Sequence, residues 1–157
     1  NDFGNLVNRV TMLIKKNYDG KIPEAGKLQQ EEQKLLNGID DTIEHVKNGI
    51  TGMKIHESIE SILNVFRSLN RYLELRAPWK QVKEDSSQGS FAATTLNTAA
   101  QVLVNAAVLL YPVMPEKINV ILGMMGITDE CNSFDSIELK PGTKLGSGSS
   151  PFPRIQT

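Results

Sequence analysis

The segment from Phe91 to Tyr111 constrains the fold most. Val102, Leu103, Ala106, Ala107, Leu109 and Leu110 make it apolar on most sides. A helix that is apolar all round must be enclosed by other elements. Asn97, Gln101 and Asn105 interrupt it at four-residue steps. That pattern describes the central helix of a bundle better than a membrane span, which wants about 20 mainly apolar residues.

The enclosing helices are legible from their periodicity. From about Asp2 to Lys16, Phe3, Leu6, Val7, Val10, Leu13 and Ile14 fall on one stripe. Asn17-Tyr18-Asp19-Gly20 breaks that helix, and Pro23 and Gly26 extend a loop. A second helix, about Gln30 to Asn48, carries Leu35, Leu36, Ile39, Ile43, Val46 and, just past its end, Ile50 at three- and four-residue intervals. Thr51-Gly52 punctuates. A third, about Lys54 to Arg76, carries Ile55, Ile59, Ile62, Leu63, Phe66, Leu69, Tyr72 and Leu73. Pro78 disfavours helical geometry at Ala77, which predicts a turn there. Ser86 to Ser90 reads as a polar connection into the apolar segment. Pro112 and Pro115 end that segment, and a short fifth helix follows from about Pro115 to Met125 through Ile118, Ile121 and Leu122. After Gly126 the composition turns to Pro, Gly and Ser. The expected fold is therefore all-α: an antiparallel bundle of about five helices over residues 1–125, with an extended C-terminal tail over 126–157.

Bulk properties narrow the function classes. The chain has 157 residues, 39% hydrophobic and 22% charged, which suits one globular domain. It carries no signal-peptide pattern, and its opening at Asn1-Asp2-Phe3 without an initiator methionine suggests an excised or processed piece. The single cysteine, Cys131, excludes an intrachain disulfide and a cysteine-based zinc cluster. A net charge of -1 argues against a generic nucleic-acid binder. The distribution is uneven, however. Arg67 to Lys83 is locally +4, with Glu74 its lone acid, whereas Leu28 to Ser61 is locally -4. One stretch can face a polyanion while the other faces water, although solvated helix faces also vary in sign by chance.

Catalytic patterns are missing. There is no glycine-rich phosphate loop followed by lysine and Ser/Thr. His45 and His56 sit on separate helices without a metal-ligand partner and read as surface or rim residues. Asp40-Asp41 and Glu31-Glu32 read as solvated helix faces, Cys131 as a buried or incidental thiol, and Met124-Met125 as core filling.

One constellation remains. At about 100° per residue, Asn5, Arg9, Met12 and Lys16 fall together opposite the apolar stripe of the first helix. An amide, a guanidinium and an ammonium in one row can bond base edges or phosphates, or form an ordinary polar outer face. Trp79, the only tryptophan, sits in Ala77-Pro78-Trp79-Lys80 with Arg76, Lys80 and Lys83 nearby. That setting suits a base-stacking platform, which by itself tolerates any base; a cap on the core is the other reading.

Five stretches in order resemble the anticodon-binding domain of methionyl-tRNA synthetases. They are Asn1-Asp2-Phe3-Gly4-Asn5-Leu6-Val7-Asn8-Arg9, then Tyr18-Asp19-Gly20-Lys21-Ile22-Pro23, then Asn70-Arg71-Tyr72 running into Ala77-Pro78-Trp79-Lys80. Tyr111-Pro112-Val113-Met114-Pro115-Glu116 and Pro151-Phe152-Pro153-Arg154-Ile155 complete the order. The resemblance implies a class I ligase that joins methionine to its tRNA with ATP through methionyl-adenylate, and whose helical bundle reads the CAU anticodon. It implies that Asn5 and Arg9 bond anticodon bases and that Trp79 stacks on the wobble cytosine, with Pro78 shaping its perch. Lys16, Arg76, Lys80 and Lys83 are candidate phosphate contacts. Stretches resembling the family's catalytic signatures HIGH and KMSKS are absent, as are its zinc-binding cysteines. The piece is thus expected to be inactive alone and to hold no cofactor, with ATP and zinc belonging to the parent's catalytic domain. The partners implied are the anticodon loop of tRNA(Met) and that catalytic domain, towards which the 152–155 stretch would return. The membrane is not expected as a partner, and the compartment is the cytoplasm or an organellar matrix. A helical protein-interaction domain and the anticodon domain of another class I synthetase are the competing readings.

Overall fold

A computed structural model of the chain describes residues 2–51, 55–127 and 137–146. Among these residues six helices follow one another: α1 (Asp2–Asn17), α2 (Gln30–Thr51), α3 (Ile55–Arg76), α4 (Pro78–Glu84), α5 (Phe91–Leu109) and α6 (Pro115–Met124). Gly52, Cys131 and the Pro151-Phe152-Pro153-Arg154-Ile155 stretch lie outside the described residues.

The apolar segment is the axis. Every other helix packs on α5. By length and composition α5 could cross a membrane, but 89% of its most apolar window is buried inside the protein. Ser90 caps its start, the hydroxyl accepting from the Ala93 amide at 3.2 Å. Leu6, Val7, Val10 and Ile14 of α1, Ile39, Ile43 and Val46 of α2, and Ile62, Phe66, Leu69 and Leu73 of α3 share one buried cluster with Leu96 and Leu103 of α5. Phe3 meets Phe66 with ring centroids 4.4 Å apart, fixing the start of α1 against α3. Met124 and Met125 are buried core, as their sequence suggests. Leu63, placed on the apolar stripe by periodicity, instead stays exposed.

The all-α architecture agrees with the periodicity, and the five expected helices begin and end within a few residues of expectation. The sixth, α4, is a departure. Pro78 was expected to mark only a turn. Instead Ala77 adopts the left-handed conformation (φ 47°, ψ 63°) and Pro78 opens a new helix at its first position. Proline tolerates that position because its missing N–H has no intrahelical partner there.

Part of the region beyond α6 joins the core. Leu139 and Leu145 are buried in the same cluster as α5. The Gln101 amide exchanges two hydrogen bonds with the backbone of Leu139, and Asn105 does the same with Ile137. The spacing explains the fit. Four helical residues advance about 6 Å, and two extended residues advance nearly the same, about 6.6 Å. Asn97, the third amide of the series, donates to the Pro23 carbonyl at 2.8 Å and so holds the α1–α2 loop. An antiparallel bridge joins Lys21 to Lys144. Close approach there requires Gly126, where φ is +82° and an added Cβ would stand 2.3 Å from the Lys144 carbonyl oxygen.

Candidate nucleic-acid interface

Three helices bring the candidate residues together. Arg9 comes from α1, Glu74 from the last turns of α3, and Trp79 from α4. The Arg9 guanidinium carbon lies 4.9 Å from the centre of the Trp79 ring. Its Nη2 donates to Glu74 Oε1 at 3.0 Å. Arg9 and Glu74 keep 39% and 64% of their side-chain surface exposed, so the ion pair orients the guanidinium more than it stabilises the fold. A guanidinium has five N–H donors, and one carboxylate contact leaves others available.

The turn after α3 sets Trp79's position. Ala77 accepts hydrogen bonds from the Lys80 and Gln81 amides at 2.8 and 3.1 Å, which starts α4. Pro78 is buried beneath the turn. Thr95 of α5 donates to Gln81 Oε1 at 2.9 Å and ties α4 to the central helix. Trp79 is left half-buried at the surface, neither sealed in the core nor free of support. An open depression of about 650 Å³ adjoins it, lined by Arg9, Met12, Leu13, Lys15, Lys16 and Trp79. The structure thus gathers Arg9, Met12, Lys16 and Trp79. Asn5 is exposed one turn before Arg9 on the same face, outside that lining. Lys80 and Lys83 are exposed on α4, with Lys83 one turn from Trp79 on its side of the helix.

Arg76 does not join this face. Its Nη2 lies 3.0 Å from Glu32, 3.5 Å from Glu31 and 3.2 Å from Gln29, so it is committed to the start of α2. Burial opposes its charge, but the hydrogen bond and field of Glu32 prevail and hold its pKa above the ordinary arginine value. Glu32, expected on a solvated face, is instead 3% exposed, because the acidic first turn of α2 packs against the basic last turn of α3. His45 and His56 are exposed, as are Asp40 and Asp41.

The family follows from comparison. Residues 22–154 match the family described as the anticodon binding domain of methionyl tRNA ligase. The chain belongs to that family. It is 33% identical over 98% of its length to methionine–tRNA ligase of Metallosphaera sedula. It is 32% identical over 99% of its length to that of Mycobacterium tuberculosis. The crystal structure of free methionyl-tRNA synthetase from Mycobacterium tuberculosis superposes with a TM-score of 0.92 at 32% identity, covering 100% of this chain and 32% of that one. The chain spans 27% and 31% of the length of those two curated relatives.

Two site features escaped sequence reasoning. Glu74 orients Arg9, and its signal was its place as the lone acid in the basic Arg67–Lys83 run. Gln81 anchors α4, and without that helix nothing in the sequence marks it out.

Proposed function

We propose that the face formed by Asn5, Arg9, Lys16 and Trp79 receives the CAU anticodon loop of tRNA(Met), so that a larger methionine–tRNA ligase attaches methionine using ATP. The observation that carries this reading is the Arg9 guanidinium held 4.9 Å from the centre of the Trp79 ring. A base stacking on Trp79 meets Arg9 at the same ring, so stacking and hydrogen bonding are delivered at one point. Stacking tolerates any base, whereas a bidentate polar contact discriminates by about 1–3 kcal/mol. Trp79 stacks on the wobble cytosine from the perch built on buried Pro78. Asn5, which both donates and accepts, reads a neighbouring base edge. Lys16, Lys80 and Lys83 neutralise phosphates, and Arg76 stays with α2. The ligation step, its ATP and any zinc belong to the parent's catalytic domain, on which this bundle docks. The setting for that role is the cytoplasm.

The test is a titration with a CAU anticodon stem-loop and with a loop in which the first anticodon base is replaced. The parent chain binds the CAU loop preferentially, with log K falling by about 0.7 per log unit of salt for each phosphate neutralised. Trp79→Ala lowers affinity by about ten- to a hundredfold and takes away much of the preference for cytosine, because a base no longer held at the ring is not presented to Arg9. A folded Trp79→Ala chain that binds like the parent refutes the stacking role. Equal binding of both loops by the parent points to a sibling synthetase or to another function.

A further inference from the structure

Met12 stands in the α1 row between Arg9 and Lys16. It is 68% exposed, one of six large apolar side chains left at the surface among the described residues. Of these six, it is the one that lines the depression beside Trp79. The lining there is mostly apolar, supplied by Met12, Leu13, Trp79 and the aliphatic stems of Arg9, Lys15 and Lys16. The depression, about 650 Å³ and open to solvent, extends from Trp79 along α1 to Lys16.

The row along α1 has an order. Met12 and Leu13 follow Arg9 by three and four residues, and Lys16 follows them by four and three, so the four are neighbours on the helix surface. From Arg9 to Lys16 the groups run base-bonding guanidinium, apolar shelf, cation. A nucleic-acid strand offers the complement: the edge of one base, the face of the next, and a phosphate. The thioether of methionine is polarisable and makes favourable contacts with aromatic rings, while offering only weak hydrogen bonding.

We propose that Met12, backed by Leu13, is the shelf for a second unstacked base of the same loop, adjacent to the base on Trp79. This inference rests on the anticodon reading above. The shelf holds that base without reading it, because it presents no donor and only a weak acceptor. Lys15 and Lys16 close the site against the strand's phosphates.

The experiment compares the parent chain with Met12→Gln, a swap of similar length and helix propensity at an exposed position. Circular dichroism and the thermal midpoint match the parent. Met12→Gln weakens CAU stem-loop binding about three- to tenfold, the scale of a sulfur–aromatic contact. The parent's ratio between the CAU loop and the loop with a replaced first base is unchanged. Stem-loops with an abasic site at each loop position in turn then locate the contact. The loss caused by Met12→Gln disappears for one abasic position next to the Trp79-stacked base and persists for the others. If Met12→Gln binds every loop as the parent does, or loses the same factor whichever base is removed, the shelf is overturned while the anticodon reading stands. If the parent does not prefer the CAU loop, both fall together.

Discussion

Arg9 is held by two neighbours of opposite character. Trp79 offers it a ring face and Glu74 a carboxylate, and together they fix where its remaining donors stand. An exposed cation–π contact contributes about 0.5–1 kcal/mol, so neither partner traps the guanidinium against a stronger ligand. The helical spacing of α1 made the row of Asn5, Arg9, Met12 and Lys16 legible in the sequence. What lies across from that row was not, because Glu74 and Trp79 are 65 and 70 residues away in the chain. Ala77 is the residue that aims Trp79. A left-handed φ of 47° costs a non-glycine residue about 1–2 kcal/mol. Glycine would relieve that cost but lose about 0.5–1 kcal/mol to the freedom of the unfolded chain. Ala77→Gly is therefore expected to raise stability by about 0.5–1 kcal/mol, read from the urea midpoint. The same variant loosens the perch, so stem-loop affinity falls as stability rises. A lowered midpoint would show that Ala77 is not strained.

At the scale of elements, the junction of α2 and α3 is built on charge. The Arg76 guanidinium reaches buried Glu32 at 3.0 Å and so fixes the end of α3 from which the Ala77 turn departs. Removing one partner of such a pair leaves the other buried without compensation, at a cost of about 3 kcal/mol. Arg76→Ala is expected to destabilise the chain by about that amount. Arg76→Met combined with Glu32→Leu recovers most of the loss, since an apolar pair of similar volume fills the same space. Urea unfolding of the single and double variants decides the matter; a double variant as unstable as the single one would mean that the ion pair itself is the main stabiliser. The helices flanking this junction were legible from their apolar stripes. The junction was not, because Arg76, Glu31 and Glu32 look like ordinary surface charge until α2 and α3 are set side by side. Helix α4 was missed for a related reason. Seven residues opening with Pro-Trp carry little helical signal, and it is buried Pro78 and the Thr95–Gln81 bond that hold them.

At the scale of the molecule, two buried tyrosines report on how tightly the first turns of α5 are enclosed. Tyr72 faces Thr95 and Tyr18 faces Ser90. Burial is the main cause that pushes both pKa values up, with the charges of Glu32 and Asp85 adding to it. In the unfolded chain tyrosine ionises near pH 10. Above that pH the unfolded state loses protons that the folded state retains, so stability is intact below about pH 10 and falls as pH rises beyond it. Urea midpoints are expected to decline above pH 10, and less steeply in Tyr72→Phe; an unchanged slope in that variant would assign the decline to other groups. The amide series of α5 shows how the levels of description divide. Sequence alone determined that the segment from about Phe91 to Tyr111 is a helix needing walls, that α1, α2, α3 and α6 supply them, and that α1 presents a polar row to the outside. Those are properties of local periodicity, which burial of apolar surface enforces wherever the helices finally pack. Sequence also placed Asn97, Gln101 and Asn105 at four-residue steps without saying what they bind. Only the tertiary structure decided that they hold Pro23, Leu139 and Ile137, that Arg76 turns inward to Glu32, and that Arg9 meets Trp79. Such pairings join residues tens of positions apart, and a polar group's partner is set by which chains cross at its surface, not by its own neighbours in the chain.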